Sequence, residues 1–353
     1  MMKAVVYKEK GKLVFEEHTK PSLVNDTDVI LKVTLTTICS SDIHIKHGAV
    51  PRAQKGVVLG HEFVGIVAET GAAVKKLQVG DRVAVNCETF CGECFYCKNG
   101  YVNNCTDKNG GWALGCRIDG GQAEYARIPF ADNCLTKIPA NVTDEQALFN
   151  GDLLSTGYWG CKIGELTSED VVAIIGAGPA GLCAMMCARL FNPQKIIAIA
   201  IDIDDARLQV AKANGYADII LNPLHDDVTA EISKYTAGRG ADKVFEVAGS
   251  DKTFALALDI ARPNAIVVLI AMYENNQVLP LPNIYGKNLT IKFGGVDGVF
   301  CQEIMKHIEQ GEINALPLLT HHTDFAHIME AYDIFENKKE NVIKIAVRVA
   351  ESL

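Results

Sequence analysis

The chain has 353 residues, a formal net charge of −9, 48% hydrophobic and 22% charged residues, which suits two domains with cores of their own and excludes a disordered chain. No run of about 18 apolar residues could span a bilayer, and the acidic balance with scattered Lys and Arg excludes a nucleic-acid surface, so a small-molecule partner is expected. The 12 cysteines follow a start, MMKAVVYKEKGKLVFEE, that lacks the texture of a signal peptide; a cytoplasmic location is expected, where metal and burial explain cysteines better than disulfides do.

The first elements read as short strands, Ala4 to Tyr7, Val14 to Glu16 and Asp28 to Thr37, broken by Gly11 and Pro21. TTICSSDIHIKHG follows, with Cys39, Ser41 and His44 at the start of a short helix. The segment Val57 to Glu69 reads as a strand carrying Gly60, His61 and Glu62. A Gly-His-Glu at the end of an apolar run serves no strand period, whereas a metal that needs a neutral imidazole and a nearby carboxylate explains it. A further strand opens at Gly80-Asp81-Arg82-Val83.

The segment CGECFYCKNGYVNNC holds Cys91, Cys94, Cys97 and Cys105 at Cys-x2-Cys-x2-Cys-x7-Cys spacing. Four thiolates at these spacings wrap one tetrahedral zinc and leave no coordination position for substrate, so this site is structural, and zinc supplies the core that so short a lobe lacks. Strands return between Gly120 and Lys137. A helix capped by Thr143 is expected over Asn141 to Asp152, continuing through GDLLSTGYWGCKIG. Asp152 is a carboxylate among Ala147, Leu148, Phe149, Leu153 and Leu154. It serves either as a helix N-cap or as the carboxylate of a Cys-His-carboxylate metal set with an open fourth position.

At Asp170 the texture changes to VVAIIGAGPAG, an apolar strand running into Gly176-x-Gly178-x-x-Gly181, a helix, and a second strand closing at Asp202. Strand, glycine turn, helix, strand and acid in that order describe a dinucleotide site. Gly176 makes the turn, Gly178 lets the pyrophosphate approach, Gly181 lets helix and strand pack, and Asp202 selects NAD over NADP. Alternating helices and strands continue to Phe293 as a doubly wound, mostly parallel sheet. The last sixty residues leave that alternation and are expected to return to the first domain. The pair His321 and His322 is expected in a loop before a helix.

Taken together, Cys39-x-Ser41-x-x-His44, Gly60-His61-Glu62 with Gly65, the four-cysteine lobe, Asp152, the Gly176 to Gly181 turn and Asp202 resemble the zinc-dependent medium-chain dehydrogenases of the alcohol dehydrogenase family over essentially the whole chain. The resemblance implies an α/β protein: a GroES-like, mainly-β catalytic domain over residues 1–152 and 295–353, and a Rossmann NAD-binding domain over 153–294. It implies that Cys39, His61 and Asp152 bind a catalytic Zn2+, beside the structural one, and that Glu62 lies behind the metal or exchanges onto it. Ser41 and His44 take the place of a proton relay. Asp at the third ligand position is similar to the secondary-alcohol and formaldehyde branches, and the absence of a long insertion favours the former. The resemblance therefore implies an NAD-dependent enzyme acting on a small alcohol or ketone, with butanediol, polyol and threonine dehydrogenases as variants, and an idle binding relative as the remote alternative. It also implies a homo-oligomer, a tetramer before a dimer. Cys87 and Trp112 match positions near the family's substrate cleft, and Tyr158 could line the nicotinamide pocket.

Overall fold

A computed structural model describes residues 1–350, apart from the side chain of Asp202. The described residues divide into two compact units. One is Met1–Ser155 with the chain from Asp297 onward, the other Thr156–Val296.

The first unit opens with an antiparallel hairpin, β1 (Met2–Glu9) and β2 (Lys12–His18). Five strands follow in chain order: β3 (Val29–Thr36), β4 (Phe63–Thr70), β5 (Arg82–Val85), β6 (Tyr125–Ile128) and β7 (Leu135–Lys137). Strands β3, β4, β5 and β7 pair antiparallel in that order, and β6 also pairs with β3. Val29, Leu31, Val33, Phe63, Val83 and Leu135 fill the core beneath them.

The second unit carries β8 (Val171–Ile175), β9 (Lys195–Ile199), β10 (Ile219–Leu221), β11 (Ala241–Glu246), β12 (Ala261–Leu269) and β13 (Thr290–Phe293). They form a six-stranded sheet in the order β10-β9-β8-β11-β12-β13, parallel at every pairing. Buried on both faces, β8 and β9 are runs of Val and Ile with no alternation, as covered parallel strands are. The strand order reverses beside β8, and ligands of such sheets bind beyond the carboxyl ends of the strands at that point.

The chain then returns. β14 (Leu319–Asp324) pairs with β15 (Lys344–Arg348), and β15 pairs with β3, which extends the first unit's sheet to seven strands. Three expectations are corrected here. His321 and His322 lie within β14 instead of a loop. Residues 57–62 are not continuous strand; β4 starts at Phe63, after a bend at His61 and Glu62. The helix expected over 141–152 is one turn, Asp144–Ala147, with Thr143 capping as expected, and the chain turns before a second helix at Leu153–Ile163. Among the described residues no helix is long and apolar enough to cross a membrane.

Candidate active site

Cys39 precedes helix α1 (Ser40–Lys46), and its extended backbone turns the chain out of β3. Its amide donates to Asp42 Oδ2 at 2.9 Å, which anchors the first turn. Gly60, at φ +97°, makes the bend before His61; a Cβ there would lie 2.7 Å from Gln122. The Glu62 carbonyl accepts from the Thr37 amide and the Thr36 hydroxyl at 3.3 Å each, fixing this bend to the end of β3. Asp152 follows Gly151, whose Cβ, if it had one, would lie 1.7 Å from the Val85 carbonyl. The Cys87 amide donates to the Gly151 carbonyl at 3.0 Å. Gly151 thus seats the turn against the end of β5, and the broken helix is the consequence.

These three bends bring Cys39, His61, Glu62 and Asp152 together, with one ligand atom of each within 4.8 Å of the others. Asp152 Oδ2 lies 3.3 Å from His61 Nε2 and 3.7 Å from Cys39 Sγ. Edges of about 3.3–3.8 Å are those of a tetrahedron with bonds of 2.0–2.3 Å, so the sulfur, nitrogen and oxygen set fits zinc. Burial disfavours a charged His61, yet the Asp152 and Asp42 carboxylates that face its two ring nitrogens hold its pKa well above the usual range. Burial also pushes the Cys39 thiol up, and Glu62 adds to the push. Burial opposes the Asp152 carboxylate as well, but the His61 hydrogen bond holds it well below the ordinary value. Without metal, the set therefore keeps protons on Cys39 and His61, and loading a metal releases them.

Around this set lies a second layer that sequence reasoning missed. Asp42 Oδ1 is 3.6 Å from His61 Nδ1, and neither atom has a hydrogen-bond partner although both are buried. Asp42 Oδ2 accepts from Gln122 Nε2 at 3.0 Å, and Gln122 Oε1 accepts from the Tyr332 hydroxyl at 2.7 Å. The helix-start pattern held the signal for Asp42: an acid three residues beyond an N-cap reaches back to it. Lys344, on β15, donates to Glu62 Oε1 at 2.8 Å, and both side chains are 1% exposed. Burial lifts Glu62 to about 7 against the pull of Lys344, while the charge of Glu62 holds Lys344 above its ordinary range in spite of burial. No local pattern marks Lys344, which lies 282 residues from Glu62 in sequence.

Ser41 Oγ is 3.8 Å from Cys39 Sγ, at the edge of the set. His44 follows three residues on along α1 and is half-buried. Trp112 meets the His61 ring edge-on with centroids 5.7 Å apart, and Arg52 lies 4.9 Å above the Trp112 ring. Cys87 is buried, and Tyr158 packs on Phe191 inside the second unit.

Ligand atoms of Cys91, Cys94, Cys97 and Cys105 also gather within 4.8 Å of one another. The Cys91–Cys97 and Cys94–Cys97 sulfur distances are 3.9 and 3.4 Å, far from the roughly 2.05 Å of a disulfide and near the spacing of sulfurs on one zinc. Backbone amides of Glu93 and Cys94 donate to Cys91 Sγ at 3.4 Å each, the hydrogen bonds that a thiolate attracts. Hydrogen bonds with the backbone of Cys97 and Thr106 pull the Cys94 thiol down to about 6.

In the second unit, Gly176 turns at φ +114° after β8, and Gly178 caps helix α2 (Pro179–Arg189). A Cβ on Gly181 would lie 1.9 Å from the Gly176 carbonyl, whereas one on Gly178 would meet nothing within 4 Å. Gly181 therefore serves packing, and Gly178 leaves a bare backbone at a helix N-terminus, which suits a pyrophosphate. β9 ends at Ile199, three residues before Asp202, which opens a one-turn segment, Asp202–Asp204. The Asp202 side chain lies outside the described residues.

The model of the alcohol dehydrogenase GroES-like domain matches residues 25–140, and that of the zinc-binding dehydrogenase matches residues 179–307. An alcohol dehydrogenase of Cupriavidus necator is 34% identical, with 99% of each chain covered. The chain belongs to the zinc-dependent medium-chain alcohol dehydrogenase family. Within this family, the zinc-dependent alcohol dehydrogenase 2 of Streptococcus pneumonia is similar at 35% identity and a TM-score of 0.91, with 100% of both chains covered. The alcohol dehydrogenase rspB of Escherichia coli CFT073, solved in complex with NADH, is 29% identical with a TM-score of 0.87, covering 99% of both chains. The GroES-like and Rossmann-like halves expected from the sequence are those of the dehydrogenase fold.

Proposed function

We propose that the protein is an NAD-dependent zinc alcohol dehydrogenase that moves hydride between NAD and a small secondary alcohol or its ketone. The observation that carries this reading is the convergence of Cys39, His61, Glu62 and Asp152 within 4.8 Å. Cys39, His61 and Asp152 would hold the zinc, which when bound supplies Lewis acidity that eases loss of a substrate hydroxyl proton near neutral pH. Cys91, Cys94, Cys97 and Cys105 would hold a second, structural zinc.

Ser41 Oγ, 3.8 Å from Cys39 Sγ, accepts the hydroxyl proton, since a hydroxyl both accepts and donates. His44, one turn along α1, passes it to water. Asp42 orients His61, and Trp112 covers its ring. The backbone at Gly178 and the start of α2 bind the pyrophosphate. An acid at Asp202 repels a 2′-phosphate, which favours NAD over NADP.

The test is reduction of NAD and NADP at slightly alkaline pH with primary alcohols, secondary alcohols, butanediol stereoisomers, polyols and threonine, with zinc counted by elemental analysis. Turnover of secondary alcohols with NAD is expected, with two zincs per chain. Turnover of threonine or polyols alone would redirect the substrate, and silence with one zinc per chain would overturn the catalytic reading.

A further inference from the structure

The proposed mechanism gives no task to the buried ammonium behind the metal donors. Lys344 Nζ donates to Glu62 Oε1 and to the Ile38 carbonyl, both at 2.8 Å. The rings of Phe149 and Phe335 close over it, with centroids 5.5 and 5.8 Å away. Burying an ion pair costs several kcal/mol before its attraction is counted, and apolar residues of the same volume often fill such a place at no loss of stability. A charge held here therefore invites a role beyond packing. Glu62 supplies the geometry for one. While Oε1 is tied to Lys344, Oε2 is buried without a hydrogen-bond partner, and the carboxylate stands within 4.8 Å of the Cys39, His61 and Asp152 donors.

We propose that Lys344 is a positioning residue that governs how far Glu62 coordinates the catalytic zinc, holding the carboxylate off the fourth position yet within reach of it. The inference rests on the reading of Cys39, His61 and Asp152 as zinc ligands. The charges support it. A divalent zinc with a Cys39 thiolate, an Asp152 carboxylate and a neutral His61 sums to zero, so Glu62 adds a negative charge that Lys344 cancels. With Lys344 removed, the metal becomes the cation that draws Glu62. The carboxylate then closes the position that substrate needs.

The experiment uses the zinc-loaded enzyme and its cobalt-substituted form. Zinc content is compared first between wild type and Cys39→Ser. Loss of one zinc in the variant supports the site, and equal zinc content overturns the site itself, and the inference with it. Release of the catalytic zinc to a chromogenic chelator is then timed for Lys344→Met, Lys344→Arg, Glu62→Gln and the double variant Glu62→Gln/Lys344→Met. Lys344→Met is expected to slow release about tenfold and to change the visible cobalt spectrum, as a fourth protein ligand would. Lys344→Arg keeps the charge and is expected within about threefold of wild type. In the Glu62→Gln background, the Met substitution is expected to change nothing. Unchanged or faster release in Lys344→Met, or the same slowing without Glu62, overturns the proposal. Should Lys344→Met fail to fold, Lys344→Gln decides: it removes the charge and keeps a hydrogen-bond donor for Glu62. It is expected to slow release as the Met variant would, and unchanged or faster release overturns the proposal.

Discussion

Asp42 sits behind His61 with an oxygen 3.6 Å from Nδ1, and both atoms lack other partners. An imidazole that binds metal through one nitrogen needs an acceptor at the other, and losing that acceptor typically costs ten- to a hundredfold in metal affinity. Asp42→Ala is therefore expected to weaken catalytic zinc about ten- to a hundredfold, measured by chelator competition, while the four-cysteine zinc stays. Glu88 sets a different test. Burial pushes its carboxyl up to about 8 against the pull of Arg52. The folded chain then binds a proton that the unfolded chain has lost, so this contribution is complete below about pH 4.5 and lost as pH rises through about 8. Thermal melts from pH 5 to 9 should show wild type losing stability toward alkaline pH and Glu88→Gln losing less; parallel curves would refute the assignment. His61, Glu62 and Asp152 were legible in the sequence because each is costly or idle where its local pattern puts it, and Cys39, ordinary as a buried cysteine, only through the family resemblance. Asp42 and Lys344 were not, since a helix-start acid and a strand lysine are ordinary until distant segments fold around them.

The glycine turn after β8 separates two roles that its spacing alone runs together. Gly181→Ala puts a methyl 1.9 Å from the Gly176 carbonyl, and such overpacking against backbone is expected to cost at least about 2 kcal/mol. Gly178→Ala has open space in the free protein and an extended φ of −65°, ψ of 175°, so it is expected to cost under about 1 kcal/mol while raising the KM for NAD by at least about tenfold, or ~1.4 kcal/mol. Melting curves and initial rates for the two variants separate stability from binding. If Gly178→Ala binds NAD like wild type, the pyrophosphate does not approach there. Alternation and helix periodicity gave β8 to β13 nearly in place. They failed at the bend that holds His61 and at the helix expected over 141–152. At both points a glycine serves a close backbone approach, Gly60 to Gln122 and Gly151 to Val85. Hydrophobic period cannot reveal such contacts, because they depend on a partner strand or loop far along the chain.

The second unit is inserted between two parts of the first. Its sheet is built from residues 171–293, and Val171, Ala173, Ile197, Ile199, Val244 and Val267 give it a core of its own. The first unit has no such independence along the chain. β15 reaches β3 only after the insertion, and it carries Lys344 to Glu62. The sequence revealed the return of the last sixty residues through the end of the βαβ alternation, but not what the return delivers. This topology predicts an asymmetry between fragments. Residues 156–296 expressed alone are expected to fold and to gain about 2.7 kcal/mol of stability at NAD concentrations 100-fold above Kd. Residues 1–155 alone keep Cys39, His61 and Asp152 but lack β14, β15 and the ammonium beside Glu62. Without that return, β3 loses β15 from its edge and Gln122, which donates to Asp42 behind His61, loses the Tyr332 hydroxyl. The bends that gather the set thus lose their support, and this fragment is expected to hold no catalytic zinc, even where the four-cysteine lobe still binds its own. Elemental analysis and chelator release on the two fragments decide the matter. Tight zinc binding by the Cys39 set in the short fragment would mean that the C-terminal return is dispensable to the site.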